Sequence, residues 1–143
     1  MSMTQTALLE RRNIPSGSTI EEKISELGYN FKILNKSEDL FNQKGLSCTI
    51  NNHETYFEII FEEATEFIKN NSWINQEKKK MDTAISFVWG ADFAAGACIG
   101  LISIILIDSS NAKIYYLDDQ MEYTREMLLD DTPLFLNELK KKK

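Results

Sequence analysis

Histidine is almost missing from this 143-residue chain: His53 is the only one. With no second histidine and no cysteine at ligand spacing, the usual zinc sites are excluded. A serine or cysteine nucleophile is a weak reading too, since His53 alone would have to serve as its base. Cysteine is nearly as scarce. Cys48 and Cys98 are far apart and form no CxxC pair, so they read as two buried free thiols in a reducing compartment. The six glycines make no GxxxxGK, GxGxxG or GxSxG pattern, which excludes a P-loop, a dinucleotide fingerprint and a hydrolase elbow. Nothing in the sequence calls for a cofactor. The opening MSMTQTALLERRN has no apolar signal core, so the expectation is a cytoplasmic protein. No repeat of solenoid or propeller period is present.

Basic residues are also in deficit, 16 against 22 acidic ones, and four of the 16 are the closing Lys140 to Lys143. The rest of the chain carries a net charge of −10. Such a body repels nucleic-acid phosphate and acidic membranes and draws in a basic partner. Keeping the protein soluble is the simpler role for the same charge.

The chain is long enough for one domain with its own core. Its most apolar stretch is TAISFVWGADFAAGACIGLISIILI at 83–107, where Asp92 is the only charge. As one helix it could cross a bilayer, with Gly96 and Gly100 in GxxxG spacing. Asp92 near its centre argues against this, at a cost of about 3 kcal/mol. Composition divides the stretch into AISFVW, a small-residue link and CIGLISIILI, and DSSNAK then leads into IYYL. That reads as strands near 83–89, 97–107 and 113–118 in an antiparallel meander packed by helices, an α+β domain. A membrane helix and a buried helix are the competing readings.

Elsewhere, TALLERR suggests a short helix in an N-terminal arm over 1–18. Thr19 and Glu22 have capping-box spacing and start a helix with Ile20, Ile24 and Leu27 on one face, ended by Gly28. YNFKIL and LSCTI (46–50) read as strands, with a short helix capped by Ser37 between them, and NNHE as a turn or cap. Residues 61–70 favour a helix, and 54–60 fit helix or strand, with helix slightly preferred. SWINQEKKKM reads as a helix capped by Ser72. DQMEYTREMLLDD reads as another. A last helix has Thr132 as cap and Pro133 in its first turn, with the terminal lysines (140–143, a basic tail) at its negative end.

Carboxylates cluster at Glu58, Glu62, Glu63 and Glu66, and again at Asp118, Asp119, Glu122, Glu126, Asp130 and Asp131. They fit either solvated helix faces or an acidic recognition surface; no Glu-x-x-His marks a carboxylate metal site. Asp92 beside Trp89 is the lone acid in an apolar setting. Its plain role is to accept backbone N–H bonds. Its sharper role is to meet a cationic side chain, with Trp89 as the aromatic anchor. Tyr115 and Tyr116 must point to opposite faces of their strand, leaving one free for a partner.

In the C-terminal third, IGLISIILID, a short turn, KIYYLDDQ and MLLDDTPLFLNELKK resemble the SUKH superfamily of bacterial immunity proteins over about 45 of the 143 residues. The resemblance implies a small acidic protein that binds and neutralises a cognate toxin. The partner expected is a toxin domain with a basic surface, first of all a nuclease whose cleft holds phosphate. Charge for that contact is assigned to Asp118, Asp119, Glu122 and Glu126, with Trp89 and Asp92 beside them. Nucleic acid and membrane are not expected partners. A small ligand-binding domain, or an enzyme using a carboxylate pair, is the alternative.

Overall fold

In the computed structural model, which describes residues 2–74 and 81–141, the apolar run breaks at Gly90 into a strand and a helix. β5 (Thr83–Trp89) is a strand as expected. The expected strand at 97–107 is instead the body of α3 (Phe93–Ser110). The isoleucines misled because they favour strands. Their helix penalty is at most about 0.7 kcal/mol each, whereas burying one contributes about 1.5–3 kcal/mol. Ile99, Ile102 and Ile104 are fully buried and Ile105 nearly so. A helix apolar on every side belongs in a core. By length and composition α3 could cross a membrane, but 78% of its window is buried inside the protein.

The architecture is an α+β domain built on one seven-stranded antiparallel sheet, in the order β2-β3-β4-β5-β1-β6-β7. The strands are β1 (Met3–Leu9), β2 (Phe31–Ile33), β3 (Gly45–Ile50), β4 (His53–Glu63), β5, β6 (Lys113–Tyr116) and β7 (Met121–Tyr123). β1 lies between β5 and β6 and is antiparallel to both. β5 and β6 therefore run in the same direction, and α3 is the crossover between them. The expected N-terminal arm with its short helix is thus replaced by a strand inside the sheet. Buried on both faces, β1 lacks the alternation that marks a half-exposed strand.

Alternation does mark β4, whose Thr55, Phe57 and Ile59 are buried while Glu54, Tyr56, Glu58 and Ile60 are exposed. This decides 54–60 as strand, and the strand continues to Glu63 where a helix was expected. α2 occupies only Ala64–Asn70. The β3–β4 hairpin turns through Asn51 and Asn52, both at positive φ (48° and 70°), as a tight hairpin turn requires.

α1 (Gly17–Glu26) begins earlier than its capping-box spacing suggested. Ser16, not Thr19, is the cap, and its Oγ accepts the Thr19 N–H at 3.1 Å. Gly28 ends the helix at φ 98°, as expected. The short helix capped by Ser37 does not form; turns fill that connection. Of the helix read over 72–81, residues 75–80 lie outside the described residues. The two C-terminal helices are instead β7 followed by a single α4 (Arg125–Lys141), with Pro133 inside it. Thr132 does not cap. It is buried and donates its hydroxyl to the Leu128 carbonyl. Of the basic tail, Lys140 and Lys141 belong to α4 and the last two lysines lie outside the described residues.

α3 packs on one face of the sheet with α1 and α4 beside it. The main core lies on this face, and α2 covers a smaller cluster on the other, where Phe67 and Ile74 pack with Leu8, Ala84 and Tyr115. Gly96 and Gly100 bring α4 close: a Cβ on Gly96 would sit 3.3 Å from the Phe135 ring, and one on Gly100 3.1 Å from Thr132 Oγ1.

Candidate functional site

Where α3, α4 and the β1–β6–β7 end of the sheet meet, side chains leave a cavity of about 70 Å³. Strand alternation builds its sheet side. β6 and β7 pair with Tyr116 opposite Met121 and Ile114 opposite Tyr123, so Tyr116 and Tyr123 share the α3 face. Their rings stack at 5.4 Å with 16° between planes, and Trp89 from β5 packs against Tyr116 at 6.4 Å. On the helix side, Phe135 and Asp131 sit four residues apart on one stripe of α4. Gln5 of β1 also lines the cavity. It is 4% exposed and donates Nε2 to Ser103 Oγ at 2.8 Å.

Asp131 is the unusual member. Half-buried against apolar rings, its carboxylate has no hydrogen bond or ion pair with any described residue. Burial pushes its pKa up, and neighbouring Asp130 pushes it further. The tyrosines feel the same field. Tyr116 is raised by burial and by Asp118 and Asp119; Tyr123 by burial, then by Asp131, Tyr116 and Asp119. The site therefore carries negative potential over partly buried aromatic rings, with no ion pair from a described residue to balance Asp131.

The residues expected from the sequence divide. Asp118 and Asp119 stand in the β6–β7 turn beside the tyrosine stack, although Asp118 also accepts the Thr4 N–H at 2.9 Å. Glu122 is opposite Tyr115, on the other sheet face, within 3.7 Å of Lys113. Glu126 is exposed in the first turn of α4, where a negative charge favours the helix dipole. Trp89 is 7% exposed and forms a cavity wall, so it is no protruding anchor. Asp92 is at the N-terminus of α3, with Oδ1 accepting the Ala94 N–H at 2.9 Å and Oδ2 accepting the Thr55 hydroxyl. That is its plain role. Tyr115 turns away to pack on Trp73 at 5.8 Å, so of this pair it is Tyr116 that faces the cavity.

Gln5, Tyr123, Asp131 and Phe135 were not singled out from the sequence. Asp131 looked like one more acid in a charged run. Its position becomes legible only once α4 is continuous, with Leu128, Asp131 and Phe135 on its inward stripe.

Two other features carry less chemistry. Cys48 and Cys98 are fully buried and unbridged, and the hydrogen bond between them, then burial, pushes the Cys98 thiol well up. Among the described residues, no three His, Cys, Asp or Glu side chains come together as a metal site would require.

No protein-family model, curated protein or solved structure matches this chain. The likeness to SUKH proteins therefore rests on its quoted residues alone, and one of them, the strand expected in IGLISIILID, lies within α3.

Proposed function

We propose that the chain is a binding protein that docks a basic partner on the acidic, aromatic end of its sheet, and that it acts as a cytoplasmic immunity protein neutralising a toxin by occlusion. The observation that carries the reading is Asp131, an unbalanced carboxylate held at an aromatic cavity whose tyrosines also feel Asp118 and Asp119. Leaving a half-buried charge unpaired is unfavourable, and a cation arriving from outside would relieve that cost. A nuclease cleft, basic because it holds phosphate, fits this surface by charge. Complementary charge would speed encounter, and contact with the aromatic rings would slow release.

At this site the enzyme reading gains less. Metabolite pockets run to about 300–1,000 Å³, and this cavity is about 70 Å³ with a single carboxylate in its lining. Catalysis by a carboxylate pair needs two acids facing one substrate in differing environments. The proposal is tested by co-expressing the chain with the product of the adjoining reading frame and scoring survival. Wild type is expected to protect, and reversal of Asp118 and Asp119 to lysine is expected to abolish protection. Full protection by the double variant would overturn the surface assignment.

A further inference from the structure

We infer that the cavity between α3, α4 and the sheet is a socket for one arginine side chain of a basic partner protein, with Asp131 and Gln5 as its polar contacts. The inference rests on the proposed docking function and names the group that the partner must supply.

Size comes first. A cavity of about 150 Å³ is known to hold a benzene ring, and this one is about 70 Å³. It admits the tip of a side chain and excludes a nucleotide or cofactor. The lining then sets the chemistry. Trp89, Tyr116 and Tyr123 form a continuous aromatic wall and Phe135 faces it from α4. Aromatic faces attract cations, and the planar, weakly hydrated guanidinium stacks on them better than an ammonium does.

The polar atoms point the same way. Gln5 is nine-tenths buried; one of its two Nε2 hydrogens goes to Ser103, and its one acceptor is the carbonyl Oε1. No described residue donates to Oε1, nor to the Asp131 carboxylate. No side-chain oxygen or nitrogen fully shut away from solvent lacks a partner among the described residues, so the free acceptors are at accessible surface. Both residues line the same cavity. Two acceptors without donors call for a group that donates from several N–H at once. Guanidinium has five donors in a fixed fork and no acceptor. A quaternary ammonium has no donor, and a carboxylate or phosphate ligand would be repelled by Asp131. Asp118 and Asp119 act on Tyr116, and Asp119 on Tyr123, so the negative field reaches beyond the lining and draws a cation in.

The test is an NMR titration of the full chain with N-acetyl-arginine amide. Its neutral isostere N-acetyl-citrulline amide and N-acetyl-lysine amide serve as the other arms. The arginine probe is expected to shift the Trp89 indole and the Gly96 and Gly100 amides with millimolar affinity. Citrulline amide should leave them in place, and lysine amide should bind more weakly. Asp131→Asn is expected to weaken the arginine probe about tenfold, the change expected when a charge-assisted bond is lost. Tyr123→Leu should weaken it through the aromatic wall with the carboxylate intact. Unchanged spectra, shifts equal with citrulline, or lysine binding as tightly as arginine would each overturn the inference.

The two failures separate. Loss of toxin protection on charge reversal, with no arginine-probe binding, removes the socket and leaves the docking function. Probe binding that needs Asp131, with protection surviving charge reversal, keeps the socket and removes the assigned surface.

Discussion

Asp92 offers the sharpest test of how the sheet and its core helix are joined. Its carboxylate caps α3 through the Ala94 N–H and also accepts the hydroxyl of Thr55, which is only 6% exposed on β4. Replacing Asp92 with alanine removes both bonds. Loss of a helix cap costs about 1 kcal/mol, and loss of the bond to a largely buried hydroxyl about 1 kcal/mol more. Removing a negative charge from the N-terminus of a helix adds about 0.3–1 kcal/mol. The sum is about 2–3 kcal/mol, which for a domain of this size lowers Tm by about 6–9 °C. An asparagine in place of Asp92 would keep an acceptor for the Ala94 N–H and could turn its amide toward Thr55. Asp92→Asn should therefore lose less than half as much. Thr55→Val removes the second bond alone. The Asp92→Ala and Thr55→Val changes should be less than additive when combined, because they share one interaction. Thermal and urea unfolding of the four variants measures this. If Asp92→Ala costs under about 0.5 kcal/mol, within the range of an ordinary surface substitution, Asp92 is free to act as a partner contact. The capping role would then be wrong.

Other consequences follow from single sites. Gly45→Ala should destabilise the fold by about 1–3 kcal/mol in chemical denaturation, because its Cβ would lie 2.5 Å from the Phe57 backbone oxygen on the paired strand. Asp131→Asn should leave Tm at neutral pH unchanged or higher. A carboxylate whose pKa is raised on folding binds more protons folded than unfolded between its ordinary and its raised value. Its contribution to stability is thus present at low pH and lost as pH rises through that window. A marked fall in Tm for this variant would mean that Asp131 has a structural partner. Cys48 and Cys98 should resist a thiol reagent in the native protein and react together on unfolding, since both are fully buried and the Cys98 thiol is held protonated. Rapid native labelling would contradict that burial.

What the sequence made legible was local. Ile20, Ile24 and Gly28 announced α1, AISFVW announced β5, and of the turn or cap that NNHE announced, Asn51–Asn52 form the turn. The failures came where tertiary burial overruled local preference. CIGLISIILI has strand-forming residues but becomes a helix because the sheet, α1 and α4 enclose it on all sides. β1 was hidden for a related reason: a strand between two neighbours needs no alternating pattern, and its threonines and glutamine are satisfied inside the fold, as Thr6 is by Ser86 at 2.7 Å. Pro133 suggested a helix start, yet α4 runs through it.

The candidate site was half legible for the same reason. Acid content announced a negative charge on the chain, and the fold sets Asp118 and Asp119 near Tyr116. Acid content could not show that Glu122 faces away, nor that Asp131 and Gln5 converge from elements 126 residues apart in the chain. That convergence depends on the crossover of α3 and on the continuity of α4, both of which are tertiary outcomes.

The central claim is that a basic protein docks at the Asp118–Asp119–Asp131 end of the sheet. It is tested most directly by mapping amide and indole shifts of the isotope-labelled chain on addition of the product of the adjoining reading frame. The account predicts that shifts centre on Trp89, Tyr116, Tyr123 and Asp131 and fade with added salt. Shifts confined to the open face of β4, at exposed Tyr56 and Ile60, would contradict it.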